Sequence, residues 1–284
     1  MANNVRYSYF HNKFDIVYRN EKATYAMPPH THTAIEIYLT LSDLPNALLG
    51  SAVTPVSSAT LMIIPSYCIH QFTQNENCEY ERYILTINTS WLDSILGNTP
   101  IARYQYLKDS NRPLMIPLNC EDKTGLINLF DKFAHCSDED FFLKMSCFFK
   151  LMRLINQLAE PFHSSDEHNL KKELSGTRKT TTEIIEYINE HLYESIKIQD
   201  IADNFFLNPD YVARIFKKYT NTPIGNYITI QRITKARQLL REGNTVTEVQ
   251  IKTGYASYEH FFRTFKKTVG ISPREYRDKH YKAE

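Results

Sequence analysis

Glycine, proline and tryptophan are scarce in this chain of 284 residues, which holds eight glycines, twelve prolines and one tryptophan. So little glycine and proline excludes a collagen-like repeat and a low-complexity chain. Aromatic residues nevertheless make up 13% of the sequence and hydrophobic residues 42%, which is enough apolar surface to exclude an intrinsically disordered protein. At roughly 150 residues per domain, the length predicts two domains.

Long hydrophobic runs are also missing. No apolar stretch approaches the ~18 residues that a membrane-spanning helix needs, and the N-terminus, MANNVRYSYFHNKF, has no apolar segment of signal-peptide length. The five cysteines are odd in number and form no C-x-x-C pair, so neither a disulfide framework nor a zinc knuckle is indicated. We therefore expect a cytosolic protein with reduced thiols and no membrane association.

Charge is distributed unevenly although the net charge is only +1. Residues 1–177 hold 15 basic and 19 acidic side chains, whereas residues 178–284 hold 18 basic and 13 acidic ones. A basic module favours a polyanionic partner, because neutralisation of phosphates dominates affinity for nucleic acids. A charge excess of this size is also common on ordinary solvated surfaces.

Hydrophobic patterning separates strand-like from helix-like segments. Segments 35–41, 59–65 and 81–88 are rich in β-branched and aromatic residues and are separated by polar, turn-prone stretches, which predicts strands. Segments 121–135 and 139–160 carry apolar residues at helical spacing. Their wide apolar stripes predict a core contact or, for part of the stripe, a contact with a second subunit in a homodimer.

The next stretch, 163–180, is polar and almost free of large apolar residues, which predicts an interdomain linker. After it the periodicity is helical, and the last third of the chain contains an internal repeat. RIFKK at 214–218 recurs 49 residues later as RTFKK at 263–267, and Tyr227 recurs as Tyr276; upstream the offset is 48. Each copy predicts a short helix, a tight turn and a second helix with a basic outer face, which is a helix-turn-helix unit.

The first unit is predicted at about 198–219. Its turn includes Phe206, and Asn208 caps its second helix, with Pro209 at the first helical position. Asn221 then closes this helix in a left-handed conformation. The predicted buried face of the helix consists of Val212, Ile215, Phe216 and Tyr219.

The second unit is predicted at about 246–268 and follows the same plan. Gly254 lies at its turn, Ser257 caps its second helix, and Gly270 closes that helix as Asn221 does in the first copy. The buried face of this helix is predicted to contain Phe261 and Phe265, while its basic residues face outward.

These residues carry a resemblance to a known family. GYASYEHFFRTFKKTVGISPREYR at 254–277 resembles, almost residue by residue, the double helix-turn-helix domain of the AraC/XylS family of bacterial transcription regulators. YITIQRITKARQLL at 227–240 resembles the long helix that joins the two units, with Arg232 at a family position. Three residues depart from the family pattern: Phe206, Asn221 and Gln250.

The resemblance implies an all-α DNA-binding domain over 181–284 in a sequence-specific transcription regulator without catalytic activity or a cofactor. Promoter DNA and RNA polymerase are its implied partners, and the bacterial cytoplasm is its implied location. Activation is favoured over repression by family habit. Two recognition helices joined by a stiff helix would read two short half-elements about one helical turn, or about 34 Å, apart.

The resemblance places base or nearby backbone contacts at Arg214 and Arg263, and the guanidinium fork suits bidentate binding to guanine. An acid lies four residues before each arginine. It either orients the arginine and accepts from cytosine, or only forms an i,i+4 pair on an exposed helix. The lysines either bind phosphates or lie in a solvated helix end. The predicted DNA-binding residues are Asp210, Arg214, Lys217, Lys218, Tyr258, Glu259, Arg263, Lys266 and Lys267.

Histidines mark the first part of the chain. His30-Thr31-His32 is followed by Glu36, and His70 follows the strand at 59–65. Strand alternation would place both early histidines, Glu36 and Tyr38 on one face. The H-x-H-x3-E pattern followed by P-x4-H resembles the two cupin motifs, which also fits the effector domain of the AraC/XylS family. It implies an α+β chain whose domain 1–162 combines a cupin-like β-barrel (about 1–90) with trailing helices (about 91–162), for effector binding and dimerisation.

Three interpretations of these side chains remain open. The first is a polar pocket for a small-molecule effector, with a sugar favoured by the relatives this plan resembles; its predicted residues are His30, His32, Glu36, Tyr38 and His70. The second is a metal site, in a sensor or a metal-dependent cupin enzyme, formed by His30, His32, Glu36 and His70. The third is a purely structural role. Asp43, Ala59 and Tyr67 stand where cupins have glycines, and regulation by a protein partner without any effector is a further alternative.

Overall fold

A computed structural model describes residues 13–22, 28–73, 78–96, 107, 113–137, 139–163 and 174–281. These residues divide into two compact units. The N-terminal unit holds the described residues of 9–27 and 32–174, and the C-terminal unit holds 28–31 and the described residues from 175 onward. The expected α+β organisation, sheets first and helices last, is confirmed. None of the described helices is long and apolar enough to cross a membrane.

Antiparallel strands form two sheets in the N-terminal unit. Their bounds are β1 (Phe14–Lys22), β2 (Ala34–Thr40), β3 (Leu44–Leu49), β4 (Ala52–Val56), β5 (Thr60–Ile64), β6 (His70–Thr73), β7 (Glu79–Asn88) and β8 (Leu114–Pro117). The larger sheet has the order β1-β7-β2-β5-β8, and the smaller one has the order β4-β3-β6. Because β2 is the central strand of the larger sheet, its side chains alternate regularly between two buried faces.

The two faces of β2 serve different cores. Ile35, Ile37 and Leu39 are fully buried and cluster with Phe130 and Phe148 of the helices that cover this face. On the opposite face, Tyr38 packs against a second apolar cluster that includes Leu44, Ala47 and Leu49 of the smaller sheet together with Met62 and Ile64 of β5. Because side chains alternate along a strand, Glu36 lies on the same face as Tyr38, as the sequence predicts.

Among the described residues, three helices accompany the sheets: α1 (Thr89–Leu96), α2 (Cys120–Ala134) and α3 (Phe141–His163). The last two agree with the predicted helices 121–135 and 139–160 to within three residues. The predicted barrel limit at residue 90 is too early, because β8 pairs with β5 beyond it. A four-residue strand, LMIP, is too short for its alternation to be recognised in the sequence. Residues 1–12 of the predicted barrel lie outside the described part of the chain.

At two of the positions where cupins have glycine, the backbone is in the left-handed conformation. Ala59 and Tyr67 have φ angles of 59° and 64°, which is the left-handed region that glycine adopts most easily. At the third position, the Asp43 carboxylate accepts a hydrogen bond of 2.6 Å from the Ser58 amide. Two of the three positions therefore have the backbone conformation that glycine adopts most easily.

The described part of the C-terminal unit forms seven helices: α4 (Gly176–Glu190), α5 (Ile198–Asn204), α6 (Pro209–Thr220), α7 (Ile224–Arg241), α8 (Val246–Lys252), α9 (Tyr258–Val269) and α10 (Pro273–His280). The pairs α5–α6 and α8–α9 are the two predicted helix-turn-helix units. Helix α4 begins inside the predicted linker, so the linker limit of 180 is corrected. Thr181 and Thr182 look polar in the sequence but are buried in α4, where the Thr181 hydroxyl donates to Thr177.

The repeat extends to the packing of the aromatic rings. The rings of Phe216 and Tyr227 lie 5.5 Å apart at 79°, and those of Phe265 and Tyr276 lie 5.6 Å apart at 81°. Such edge-to-face pairs are a favoured aromatic geometry. Each unit thus packs its second helix against the following helix in the same way. One detail of the predicted core is wrong, because the fourth inward position of α6 is Thr220, whereas Tyr219 is only half-buried.

A close backbone approach explains one glycine of the second unit. Gly254 has a φ of 71°, and a Cβ at this position would overlap the backbone carbonyl of Tyr193. Two independent constraints, the left-handed conformation and the lack of space, therefore require glycine here.

We expect Gly254→Ala to lower the free energy of unfolding by about 2–4 kcal/mol, because the carbonyl of Tyr193 must move and the backbone becomes strained. Thermal and urea unfolding measure this loss. The matched control is Gly225→Ala in α7, where a Cβ meets no atom within 4 Å; it should leave stability unchanged or raise it by about 0.5–1 kcal/mol. Equal melting temperatures for wild type and Gly254→Ala would refute the close-approach explanation.

Candidate functional site

Helix α6 presents a basic face to solvent. Its N-cap, Asn208, accepts a hydrogen bond of 2.8 Å from the Asp210 amide, and Pro209 occupies the first turn, as predicted. The helix buries Val212, Ile215 and Phe216. The predicted DNA-binding side chains lie on the exposed part of the helix: Asp210, Arg214, Lys217 and Lys218.

Helix α9 repeats this arrangement. Ser257 caps it by accepting from the His260 amide at 3.3 Å, and Phe261 and Phe265 are buried. Gly270 ends it with a φ of 89°, where Asn221 ends α6 with a φ of 49°. The predicted DNA-binding residues of this helix are all exposed: Tyr258, Glu259, Arg263, Lys266 and Lys267.

The acids that precede the two arginines are not paired with them. Among the described residues, no ion pair joins Asp210 to Arg214 or Glu259 to Arg263. The Arg214 guanidinium instead lies 5.3 Å from the centre of the Tyr211 ring. The simple i,i+4 ion pair therefore does not account for these carboxylates, and the arginine heads are available to a ligand.

Arg232 of α7 connects the loop before the first helix-turn-helix unit with the turn of the second helix-turn-helix unit. Its guanidinium donates to the carbonyls of Leu192 at 2.8 Å, Glu194 at 2.6 Å and Gly254 at 2.9 Å. The loop before the first unit and the turn of the second unit are thus held by one side chain. Burial lowers the pKa of Arg232, yet the group remains a cation at neutral pH. In the sequence, only its match to a family position singled out this residue.

Gln250, for which the sequence offered no role, stabilises the turn of the second unit. Its side-chain amide donates to the backbone carbonyl of Tyr255. Because the same turn contains Gly254, this hydrogen bond supports the close approach described above.

In the N-terminal unit, three of the predicted effector residues converge. Both His32 Nε2 and His70 Nε2 lie beside Glu36 Oε2, at 3.2 Å and 3.4 Å. The two imidazole rings are buried, with centroids 4.9 Å apart. Tyr38 lies two residues further along β2, and its ring is 4.7 Å from that of Phe72.

His30 belongs to a different segment of the chain than β2. It belongs to the segment 28–31, which groups with the C-terminal unit, and its Nδ1 lies 3.2 Å from the carbonyl of Pro28. The prediction that His30 and His32 lie on the same strand as Glu36 is wrong, because β2 begins only at Ala34. His32 reaches Glu36 from the segment that leads into the strand.

Hydrogen bonding defines which ring nitrogens face the carboxylate. His32 Nδ1 lies 2.9 Å from the carbonyl of Ala34, and His70 Nδ1 lies 3.1 Å from that of Cys68. A carbonyl only accepts, so these bonds require a proton on Nδ1.

The same geometry determines the charge of the acid. Burial raises the pKa of the Glu36 carboxyl, but the imidazoles of His32 and His70 outweigh burial and hold this pKa well below its usual range. Burial, with a contribution from Glu36, raises the pKa of Tyr38, which therefore stays a neutral phenol. The cluster combines a buried carboxylate acceptor with ring N–H and phenol donors, a set that suits a polar ligand.

Two family models match the chain. A model of the AraC-like ligand binding domain matches residues 15–165, more than half of the sequence, and a model of a helix-turn-helix domain matches residues 201–279. The chain belongs to the AraC family of transcription regulators. The matches cover both units that carry the residues described above.

Individual AraC-family relatives are similar over shorter stretches. The melibiose operon regulatory protein of Escherichia coli is 31% identical over 97 residues, which are 34% of this chain and 32% of the relative. The F1 operon positive regulatory protein of Yersinia pestis is 38% identical over 34% of this chain and 33% of its own length. The chain thus spans about a third of the length of these curated relatives. The crystal structure of ToxT from Vibrio cholerae is 13% identical over 94% of this chain and 98% of that chain, with a TM-score of 0.38.

We expect Glu36→Gln to lower the free energy of unfolding at pH 7 by about 2 kcal/mol, because both histidines lose a charged partner in a buried position. The pKa of Glu36 is depressed in the folded state, so its contribution is complete above the unfolded value of about 4.3 and is lost as pH falls through the lower folded value. Urea unfolding of both proteins between pH 7 and pH 3 should therefore show a difference that shrinks at acidic pH. A difference that stays constant over this range would contradict the assignment.

Proposed function

We propose that this AraC-family protein is a sequence-specific regulator that binds promoter DNA as a homodimer and responds to a small molecule bound beside Glu36. It acts by binding rather than by catalysis, and the bacterial cytoplasm is its site of action. The observation that carries the DNA-binding part is the repetition of one exposed arginine and two exposed lysines on α6 and α9, which Arg232 and α7 hold in one frame.

Each recognition helix reads one half-element. Arg214 and Arg263 lie in the second turn of helices with free basic faces, where a guanidinium reaches guanine O6 and N7. Lys217 and Lys267 lie in the last turns and hold phosphates, which position the helices without reading sequence.

Arg263→Ala should weaken specific binding by about 1–3 kcal/mol and relax the preference at one base pair, because one bidentate base contact is lost. Fluorescence anisotropy measures this with a duplex that the wild-type protein enriches from a random-sequence library, and with its single-base variants.

Lys267→Ala is the matched control on the same helix. It should lower affinity for all duplexes alike and reduce the salt slope by about 1, because a phosphate contact carries no sequence information. Discrimination among the single-base variants that is unchanged in Arg263→Ala would disprove base reading by Arg263.

The sign of regulation is proposed from the relatives. The Yersinia pestis relative is a positive regulatory protein by name, and we propose activation through contact with RNA polymerase for this chain as well. Transcription in vitro with purified polymerase and the enriched duplex placed upstream of a promoter tests this proposal.

The effector is proposed to be a sugar or a related polyol. The Glu36 carboxylate can accept from adjacent hydroxyls, while His32, His70 and the Tyr38 phenol can donate to ring and hydroxyl oxygens. The rings of Tyr38 and Phe72, tilted at 47° to each other, offer an apolar wall beside these groups. The E. coli relative regulates a melibiose operon by name, which supports the same ligand class.

A thermal-shift screen of the full chain against monosaccharides, disaccharides and polyols tests the effector proposal. A ligand at 100 times its Kd adds about 2.7 kcal/mol and should raise Tm by a few degrees. Glu36→Gln should abolish the shift, whereas Glu79→Gln, which alters an exposed carboxylate of β7, should retain it. A shift that survives Glu36→Gln would place the ligand elsewhere.

A metal-binding sensor is the second candidate. Both histidines bond backbone carbonyls through Nδ1 and turn Nε2 toward one carboxylate oxygen, an arrangement that fits a divalent cation held by His32, Glu36 and His70. Such an ion would supply a Lewis-acidic contact to an oxygen ligand. The same thermal-shift screen with Mn²⁺, Ni²⁺ or Zn²⁺ alone distinguishes the two candidates. An increase in Tm that the metal causes and EDTA reverses favours the metal-binding sensor.

Dimerisation is proposed to use the outer face of α3. Phe142 is 85% exposed and Phe149 is 50% exposed, and their spacing of seven residues places both on one side of the helix. Large aromatic side chains left in water at this spacing favour a second copy of the same helix as the partner.

The double variant Phe142→Ser, Phe149→Ser should weaken self-association at least about ten-fold, because it removes the apolar side chains at the centre of the proposed interface. Sedimentation velocity over a concentration series measures this, and an unchanged Tm would show that the fold is intact. Ile95→Ser, at a partly exposed position of α1, is the control. A variant that still sediments as the wild type does would exclude this face.

A further inference from the structure

Phe206 and Gly254 occupy the same place in the repeat, 48 residues apart. The Phe206 and Leu207 amides donate to the carbonyls of Asp203 and Ala202, and the Gly254 and Tyr255 amides donate to those of Ile251 and Gln250. Both helices, α5 and α8, therefore end with the same pair of hydrogen bonds. Both residues are left-handed, with φ angles of 54° and 71°. Glycine is the usual residue at this position of a helix end.

The two positions differ in their surroundings. At Gly254 a Cβ would overlap the Tyr193 carbonyl, so the fold excludes every other residue. Phe206 instead lies in the open, with 95% of its surface exposed. A residue with a Cβ is disfavoured in the left-handed conformation, and a phenylalanine ring is disfavoured in water. Within the described residues the Phe206 side chain is almost fully exposed and makes no ring contact, so the fold itself gives no reason for a phenylalanine here.

Phe206 lies close to the start of recognition helix α6. It precedes the cap Asn208 by two residues and the start of α6 by three. In the second unit, Tyr258 is the first residue of α9 and is 47% exposed. Each unit therefore presents one exposed aromatic ring at the N-terminal end of its recognition helix, which is the end that reaches base edges in helix-turn-helix complexes.

The neighbours of Phe206 also favour DNA over a protein partner. Asp203, Asn204 and Asn208 are exposed polar residues close to it in sequence. A protein interface core requires several apolar side chains together. The immediate neighbours Phe205 and Leu207 are half-buried, so Phe206 is a single exposed ring near exposed polar side chains. Such a ring suits the apolar groups of DNA, which are isolated between polar ones.

We propose that Phe206 contacts DNA in the half-element read by α6, packing on a thymine methyl group or on a deoxyribose. This inference rests on the proposed DNA-binding function and adds an apolar contact from the turn to the polar contacts of the helix. Phe206 thus contributes to affinity or sequence preference in the first half-element, a role that Gly254 cannot have in the second.

Phe206→Gly in the full chain tests this proposal, with the duplex that the wild-type protein enriches. Glycine retains the left-handed backbone, so Tm should stay the same or rise, while affinity measured by fluorescence anisotropy should fall about ten-fold. The matched control is Asn221→Gly, which makes the same backbone change at the left-handed end of α6; its affinity should stay within about two-fold of the wild type.

A second duplex, with deoxyuridine in place of thymidine in the first half-element, identifies the group that is contacted. A loss of wild-type affinity that is absent in Phe206→Gly supports the methyl group, and an equal affinity of wild type for both duplexes supports the sugar. Unchanged DNA affinity of Phe206→Gly would overturn the proposal, and a loss of transcription alone would then assign the ring to a protein partner. A wild-type protein that enriches no sequence would overturn the proposed function and this inference with it.

Discussion

The guanidinium of Arg232 holds the C-terminal unit together at the point where its two halves meet. Its three hydrogen bonds reach the loop after α4 and the turn of the second unit, and the bare Cα of Gly254 lets that turn approach the backbone of Tyr193. Burying a guanidinium is costly unless its donors are satisfied, and backbone carbonyls satisfy them here. This side chain therefore connects the loop before the first helix-turn-helix unit to the turn of the second.

The N-terminal unit obeys a different constraint. The central strand β2 must bury both faces, and it does so by dividing them: aliphatic residues face the helices, while Glu36 and Tyr38 face the other core. A buried carboxylate is tolerated only with partners, and His32 and His70 supply them. The candidate effector site thus arises because a polar residue on a strand that is buried on both faces needs polar partners. A ligand that binds there acts on DNA binding only through a difference in its affinity for two states of the protein.

Features that depend on local chemistry could be predicted from the sequence. The caps Asn208 and Ser257 and the left-handed residues Asn221 and Gly270 lie where the helix signals place them, because each acts within a few residues of its own position. The repeat aligned Tyr227 with Tyr276, and the structure shows that these two tyrosines pack in the same way against Phe216 and Phe265. The helical spacing of the apolar residues predicted which face of each recognition helix is exposed.

Features that depend on distant contacts could not be predicted. The role of Arg232 required three carbonyls from two separate loops, and β8 was recognised only through its pairing with β5. The polar appearance of Thr181 concealed its burial in α4. His32 joined the cluster from outside the strand, and His30 proved to belong to the other unit, neither of which spacing alone can reveal.

Two recognition helices in one rigid frame require two half-elements at a fixed spacing. The most direct test is therefore the affinity of the full chain for an enriched duplex in which the two half-elements are moved apart. Insertion of about five base pairs turns the second half-element to the opposite side of the DNA. We expect this insertion to reduce affinity to the level of a duplex with one half-element. Affinity that is unaffected by the insertion would contradict it, because the two units would then read DNA independently.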